Sequence, residues 1–151
     1  MTSAGQIVKK GQPPYFVLIE KALRDEGTSY HYRPPTTFSA IDQRLIDCMK
    51  GVFEDSHPPV FSGATWTTDA PFRETEAAIN YSKLQGVLGV EMEAAALYAF
   101  AEARDYPVIC FAHITNQMGN VENDFEKGEA QGSRDAIEVI TKAARAWLAR
   151  Q

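Results

Sequence analysis

The chain has 151 residues, 44% of them hydrophobic, with 15 basic and 20 acidic side chains and a formal net charge of -5. That suits one domain able to bury a core, and the acidic balance argues against a sequence-independent nucleic-acid binder, which needs a basic face. The apolar stretches are far shorter than a membrane span, and the polar, basic start from Met1 to Gln12 has no apolar signal-peptide core.

Two cysteines, Cys48 and Cys110, make neither a metal site nor a disulfide framework. Cys110 sits in an apolar run and reads as a buried thiol. A reducing cytoplasm is the default expectation.

In chain order, Tyr15 to Ala22 reads as a strand with Phe16, Val17, Leu18 and Ile19 as its apolar body. Charges gather from Lys21 to Glu26, and Gly27 marks a turn. Tyr30 to Pro35 is expected to be extended, because a residue before proline avoids the helical region. Ser39 is a candidate N-cap for a helix reaching about Glu54, with Ile41, Leu45, Ile46, Met49 and Phe53 at helical spacing. His57-Pro58-Pro59 ends it. Val60 to Thr68, rich in β-branched and aromatic residues, reads as a second strand that Pro71 breaks.

Thr75 to Lys83 reads as a short helix. Gly86 to Val90 leads into a helix from Glu91 to Arg104, rich in alanine and leucine. Val108 to Thr115 is expected to be a buried strand and Gly119 to Gly132 a loop. The last helix, from about Ser133, is expected to bury Ile137, Ile140, Ala144, Trp147 and Leu148. Strands alternating with helices imply an α/β layer architecture.

Glu91-Met92-Glu93 stands out chemically: two carboxylates flank a methionine between Val90 and a run of alanines. Carboxylates are rarely buried without partners. At a strand-to-helix junction they could face a cleft and accept hydrogen bonds from a polyhydroxyl ligand. They could equally be ordinary acids at a helix N-terminus, where the dipole favours them.

The segment GVEMEAAALYAFA, residues 89 to 101, closely resembles the ribose-binding signature of the nucleoside phosphorylase and uridine phosphorylase superfamily. RDEGTSYHY, from Arg24 to Tyr32, and VICFAHITNQ, from Val108 to Gln117, are similar to that family in the same order. The resemblance runs from about Ser3 to the C-terminus. It implies a single domain, 1–151, that is part of a three-layer phosphorylase-type α/β fold, with a central mixed sheet flanked by helices. It also implies phosphorolysis of a nucleoside, giving free base and pentose 1-phosphate, with inorganic phosphate as co-substrate and no other cofactor.

By that resemblance Glu93 holds the ribose hydroxyls, Met92 packs on the sugar, and Glu91 assists or braces. Phosphorolysis builds positive charge on the sugar, as glycoside cleavage does, and a fixed carboxylate matters more as that charge develops. Asn116 stands where purine-acting relatives usually carry an aspartate that protonates the leaving base. Uridine phosphorylases resemble this chain in having Asn. An amide cannot be that acid, so the resemblance favours a uridine-like substrate; a loop-capping Asn is the alternative.

In TWTTDAPFRET, Thr65 to Thr75, Phe72 could stack on a base and Arg73 could bond a pyrimidine carbonyl. The glutamine of the uridine phosphorylase pattern is missing here, and Arg73 could instead pair with Asp69 or Glu74. Thr67 and Thr68 read as strand residues. Of the histidines, His31 lies in the family-like stretch with no assignable role, His57 reads as a loop residue and His113 as a core residue. No pair has metal-ligand spacing.

Relatives begin several strands earlier, in a half that supplies a glycine-rich phosphate loop and a phosphate-binding arginine. Ser3-Ala4-Gly5 looks like the tail of such a loop, so the phosphate site is expected to be absent and the sheet to expose edges. A homo-oligomer, or completion by another chain, follows as the partner expectation. A hydrolytic nucleosidase, or a nucleoside-binding or interaction module without turnover, stays open beside the phosphorylase reading.

Overall fold

The computed structural model describes residues 1–117 and 129–150, the side chains of Asn116, Gln117, Glu129 and Gln131 excepted. Six strands, β1 (Thr2–Gln6), β2 (Tyr15–Asp25), β3 (Phe38–Ala40), β4 (Val60–Thr68), β5 (Val87–Glu91) and β6 (Phe111–Gln117), form one mixed sheet. Four helices flank it: α1 (Gln43–Met49), α2 (Glu76–Leu84), α3 (Ala94–Arg104) and α4 (Ser133–Leu148). Among the described residues no helix is long and apolar enough to cross a membrane.

The strand order is β3-β2-β4-β5-β1-β6, and β2 also pairs with β6. The start of β2, Tyr15 to Leu18, lies antiparallel to β6, while Lys21 to Leu23 takes β3 instead. The sheet therefore closes into a ring of five strands with β3 as an extra flap. This corrects the expectation of open edges. It also corrects the reading of Ser3-Ala4-Gly5 as loop: these residues sit inside β1, antiparallel to β5 and parallel to β6.

Both faces of β2 are covered, which is why its apolar run is continuous rather than alternating. Tyr15, Val17 and Ile19 join Ala94, Ala95 and Tyr98 of α3 in one core, with Ile41 and Leu45 of the α1 region. Phe16 and Leu18 point the other way, onto Met49, Phe111 and α4 residues Val139 and Ala143. A third core sets Leu23, Trp66, Val87 and Val90 against α2.

Several local expectations change. Ser39 is not an N-cap; it is buried in β3 opposite Ala22. Asp42 caps α1 by accepting the Arg44 N–H at 2.7 Å, and the helix stops at Met49 rather than Glu54. Tyr30 is not extended, because Thr28–His31 is a turn of 3-10 helix. That turn is organised by buried Arg24, which donates to Ser29 Oγ, the Pro34 and Arg33 carbonyls and Thr36 Oγ1. β6 begins at Phe111 rather than Val108. Of the loop read from Gly119 to Gly132, residues up to 128 lie outside the described part, and Glu129–Gly132 is a 3-10 turn.

The face of α4 is also corrected. Val139 and Ala143 are buried, whereas Ile137, Ile140 and Leu148 are exposed. A helix face is set by what the sheet offers, and Phe16, Leu18 and Phe111 select the neighbouring stripe. Trp147 alone of the expected set packs inward with Ala143 beside it, against the α1 end of the core.

Candidate functional site

β2, β4 and β5 are mutually parallel, and β1 runs against β5. The carboxyl ends of three strands and the start of β1 therefore share one end of the sheet. That end carries Thr2, Asp25 to Gly27, Asp69 to Arg73, and Met92 with Glu93.

Glu91 is the last residue of β5, not the first of a helix, so the acidic pair straddles the junction. Glu91 is buried. Its Oε2 accepts the N–H groups of Glu93 and Ala94, both at 2.7 Å, and its Oε1 accepts the hydroxyls of Thr65 at 3.0 Å and Thr67 at 2.5 Å. Thr67 in turn accepts the Ala95 N–H at 2.9 Å. The first amides of α3, which have no partner within the helix, are thus satisfied by side chains of two strands. Burial pushes the Glu91 carboxyl above its ordinary range, against the opposing pull of these hydrogen bonds.

Both oxygens of Glu91 are thus engaged, each by two donors. Met92 and Glu93 are exposed. Glu93 Oε2 accepts the Thr2 hydroxyl and, at 3.2 Å, the Met92 N–H. Its Oε1 takes no hydrogen bond from the described residues.

Pro71–Arg73 forms a 3-10 turn just beyond β4, next to the strand that ends at Glu91. Phe72 is 99% exposed and Arg73 is exposed. Asp69, offered by the sequence as a partner for Arg73, accepts the Gly27 N–H with Oδ2 at 2.9 Å.

Asn116 lies within β6, not after it, and its backbone registers with Gly5. Three residues of strand, roughly 10 Å, separate Gly5 from Thr2. Because β6 is antiparallel to β2, its carboxyl end does not coincide with those of β2, β4 and β5. The side chain of Asn116, the catalytic and base-binding position through which the resemblance favours a uridine-like substrate, lies outside the described part.

Sequence reasoning missed Thr2, Thr65 and Thr67. A threonine pair at alternate positions of a buried strand, in a chain with a carboxylate set among apolar residues, was the available signal. His113 is buried and stacked on Phe16, with ring centroids 4.5 Å apart, as a core residue. Burial raises the Cys110 thiol to about 11, which leaves it protonated and unreactive. Among the described residues no group of His, Cys, Asp and Glu could hold a metal. A cleft of about 540 Å³ lies around Asp25, Tyr30 and Tyr81, and one of about 480 Å³ around Arg33 and Tyr106. Neither is lined by Glu93.

The family model of the phosphorylase superfamily matches residues 1–145. Among curated proteins no sequence matches. Among solved structures, the AMP nucleosidase from Bacteroides thetaiotaomicron VPI-5482 superposes with a TM-score of 0.68 at 21% identity, covering 93% of this chain and 62% of that one. The uridine phosphorylase from Vibrio fischeri ES114, complexed with 6-hydroxy-1-naphthoic acid, gives 0.69 at 21% identity, with 95% and 57% covered. The chain thus spans about three fifths of the length of either structure. The mixed sheet with flanking helices agrees with both. With the family model matched over nearly its whole length, the chain belongs to the phosphorylase superfamily.

Proposed function

We propose that this chain cleaves the N-glycosidic bond of a nucleoside by phosphorolysis, with a uridine-like substrate favoured. The observation that carries this reading is Glu93: an exposed carboxylate at the β5–α3 junction, one oxygen engaged and the other without a hydrogen bond from the described residues, beside an exposed Met92. In this reading Oε1 of Glu93 accepts a ribose hydroxyl and Met92 supplies the apolar surface under the sugar. The anion counters the positive charge that grows on the ribose ring as the base leaves. Glu91 holds the turn that presents both. Phe72 and Arg73 meet the base, the first by stacking and the second at a carbonyl. The uridine-like preference rests on the resemblance at Asn116 alone, and Asn116 is given no base contact in this reading, because its backbone registers with Gly5, away from Thr2 and Glu93. Phosphate is the attacking group, and a second copy or another chain completes the site.

Superfamily membership supports glycosidic chemistry but not one base or one nucleophile, since the similar structures include both a nucleosidase and a phosphorylase. A uridine assay with and without phosphate tests the proposal. Turnover only with phosphate is the expected result. Turnover without phosphate would replace it by the hydrolytic reading. Binding with no turnover would replace it by a nucleoside-binding module.

A further inference from the structure

We infer that Thr2 is a positioning residue for Glu93, fixing which carboxylate oxygen is presented to a ligand; this rests on the ribose-holding role proposed for Glu93. β1 runs antiparallel to β5, with Gly5 opposite Val90 and Gln6 opposite Gly89. Continuing that register brings the start of β1 to the level of the β5–α3 junction. There the Thr2 hydroxyl donates to Glu93 Oε2.

The same hydroxyl is 3.2 Å from the Ser3 carbonyl, but it has one proton, and the charged acceptor is the stronger partner. The Met92 N–H reaches the same oxygen at 3.2 Å. Two donors on Oε2 hold an otherwise exposed side chain, and Oε1 takes no hydrogen bond from the described residues.

A glutamate on a helix end, exposed and unrestrained, would lose rotamer freedom on meeting a ligand. One held in advance loses less, and its field is already aligned when positive charge appears on the sugar. The contact joins residues 91 positions apart. It therefore depends on β1 being seated between β5 and β6, and couples the site to the closure of the sheet. Thr2 touches Glu93, not the reacting atoms, so its effect should appear through Glu93.

Thr2→Val removes the hydroxyl at nearly constant shape and β-propensity; Thr2→Ser restores it. Uridine affinity measured by calorimetry should fall about tenfold in Thr2→Val, the size expected for losing one charge-assisted hydrogen bond, and Thr2→Ser should recover most of it. In the phosphate-dependent assay kcat should fall more than KM rises. The Met92 amide resonance in a ¹H–¹⁵N spectrum should move in Thr2→Val, as the carboxylate it donates to is released. Thermal unfolding should match the parent's.

A Thr2→Val protein with the parent's uridine affinity, kcat and Met92 amide shift overturns the inference. If the parent itself binds no uridine, the proposed function falls, and the amide shift, which needs no ligand, decides the role of Thr2 alone. An unmoved resonance then overturns it.

Discussion

Thr67 links Glu91 to the start of α3: its hydroxyl donates to Glu91 Oε1 at 2.5 Å and accepts the Ala95 N–H at 2.9 Å. Glu91 itself accepts the two preceding amides. The turn carrying Met92 and Glu93 is therefore shaped by a buried network rather than by its own sequence. Glu91→Ala would leave two amides and the hydroxyl protons of Thr65 and Thr67 without their acceptor. Chemical denaturation should show a loss of about 3 kcal/mol, on the scale of 1–3 kcal/mol for each buried unsatisfied group with partial relaxation. A loss below 1 kcal/mol would refute the network's structural role.

Glu91 also sets a pH dependence. Its folded value is raised by burial, so the folded state holds the proton more tightly than the unfolded chain. The resulting contribution to stability is fully present below the ordinary glutamate range and is lost as pH rises through the elevated folded value. Glu91→Gln should remove this decline. Melting temperatures of parent and variant across mildly acidic pH check it, and curves of identical slope would contradict it.

Glu93→Gln should weaken uridine binding about tenfold, because a charged acceptor contributes roughly 1.5–3 kcal/mol against about 1 for a neutral one. Turnover should fall further, since the anion matters most when the sugar is cationic. Melting should not change, as the side chain is exposed. If Glu93 is only a helix N-terminal acid, the reverse holds: a small thermal loss and unaltered affinity.

Gly89 and Gly63 should respond differently to alanine. A Cβ at Gly89 would lie 2.8 Å from Ile114 Cδ1 and 2.9 Å from the Gly5 carbonyl oxygen, and that carbonyl belongs to a strand paired on both sides. At Gly63 the close atom is Leu88 Cδ1, the far end of a side chain that can turn aside. Gly89→Ala should cost about 2 kcal/mol or more, within the usual range for overpacking, and Gly63→Ala distinctly less. Equal losses in urea denaturation would show that the β1–β5 contact is not the constraint.

Tyr98 joins two segments of the core. Its hydroxyl donates to the Ile19 carbonyl at 2.5 Å and accepts the Cys110 N–H at 3.1 Å. Phenylalanine would fill the same space but orphan both backbone groups, so Tyr98→Phe should cost about 2 kcal/mol. Unchanged stability would mean that water replaces the hydroxyl there.

Self-association should accompany the exposed apolar residues Ile137, Ile140 and Leu148 of α4. Light scattering at micromolar concentration should give a mass above that of one chain, and Ile137→Lys with Leu148→Lys should lower it. A monomeric parent would remove this expectation.

The sequence by itself determined what depends on local pattern. The apolar run of β2, the β-branched body of β4, the alanines of α3 and the EME block are legible because propensity, burial and motif agree within a few residues. The family was legible too, through the resemblance of residues 89–101, 24–32 and 108–117 to the phosphorylase superfamily, which the family model matches over residues 1–145.

Tertiary structure alone decided the rest. Ser39 has a good capping side chain, but pairing with Ala22 claims it for a strand, and Asp42 takes the cap. Ile137 and Val139 are equally apolar, and only the position of Phe16, Leu18 and Phe111 selects which faces inward. The two acids of the EME block look alike in sequence. They differ because Thr65 and Thr67 stand across from Glu91, whereas Thr2, brought from the far end of the chain by β1, donates to Glu93. Such roles are set by contacts between residues remote in sequence, and no local pattern encodes them.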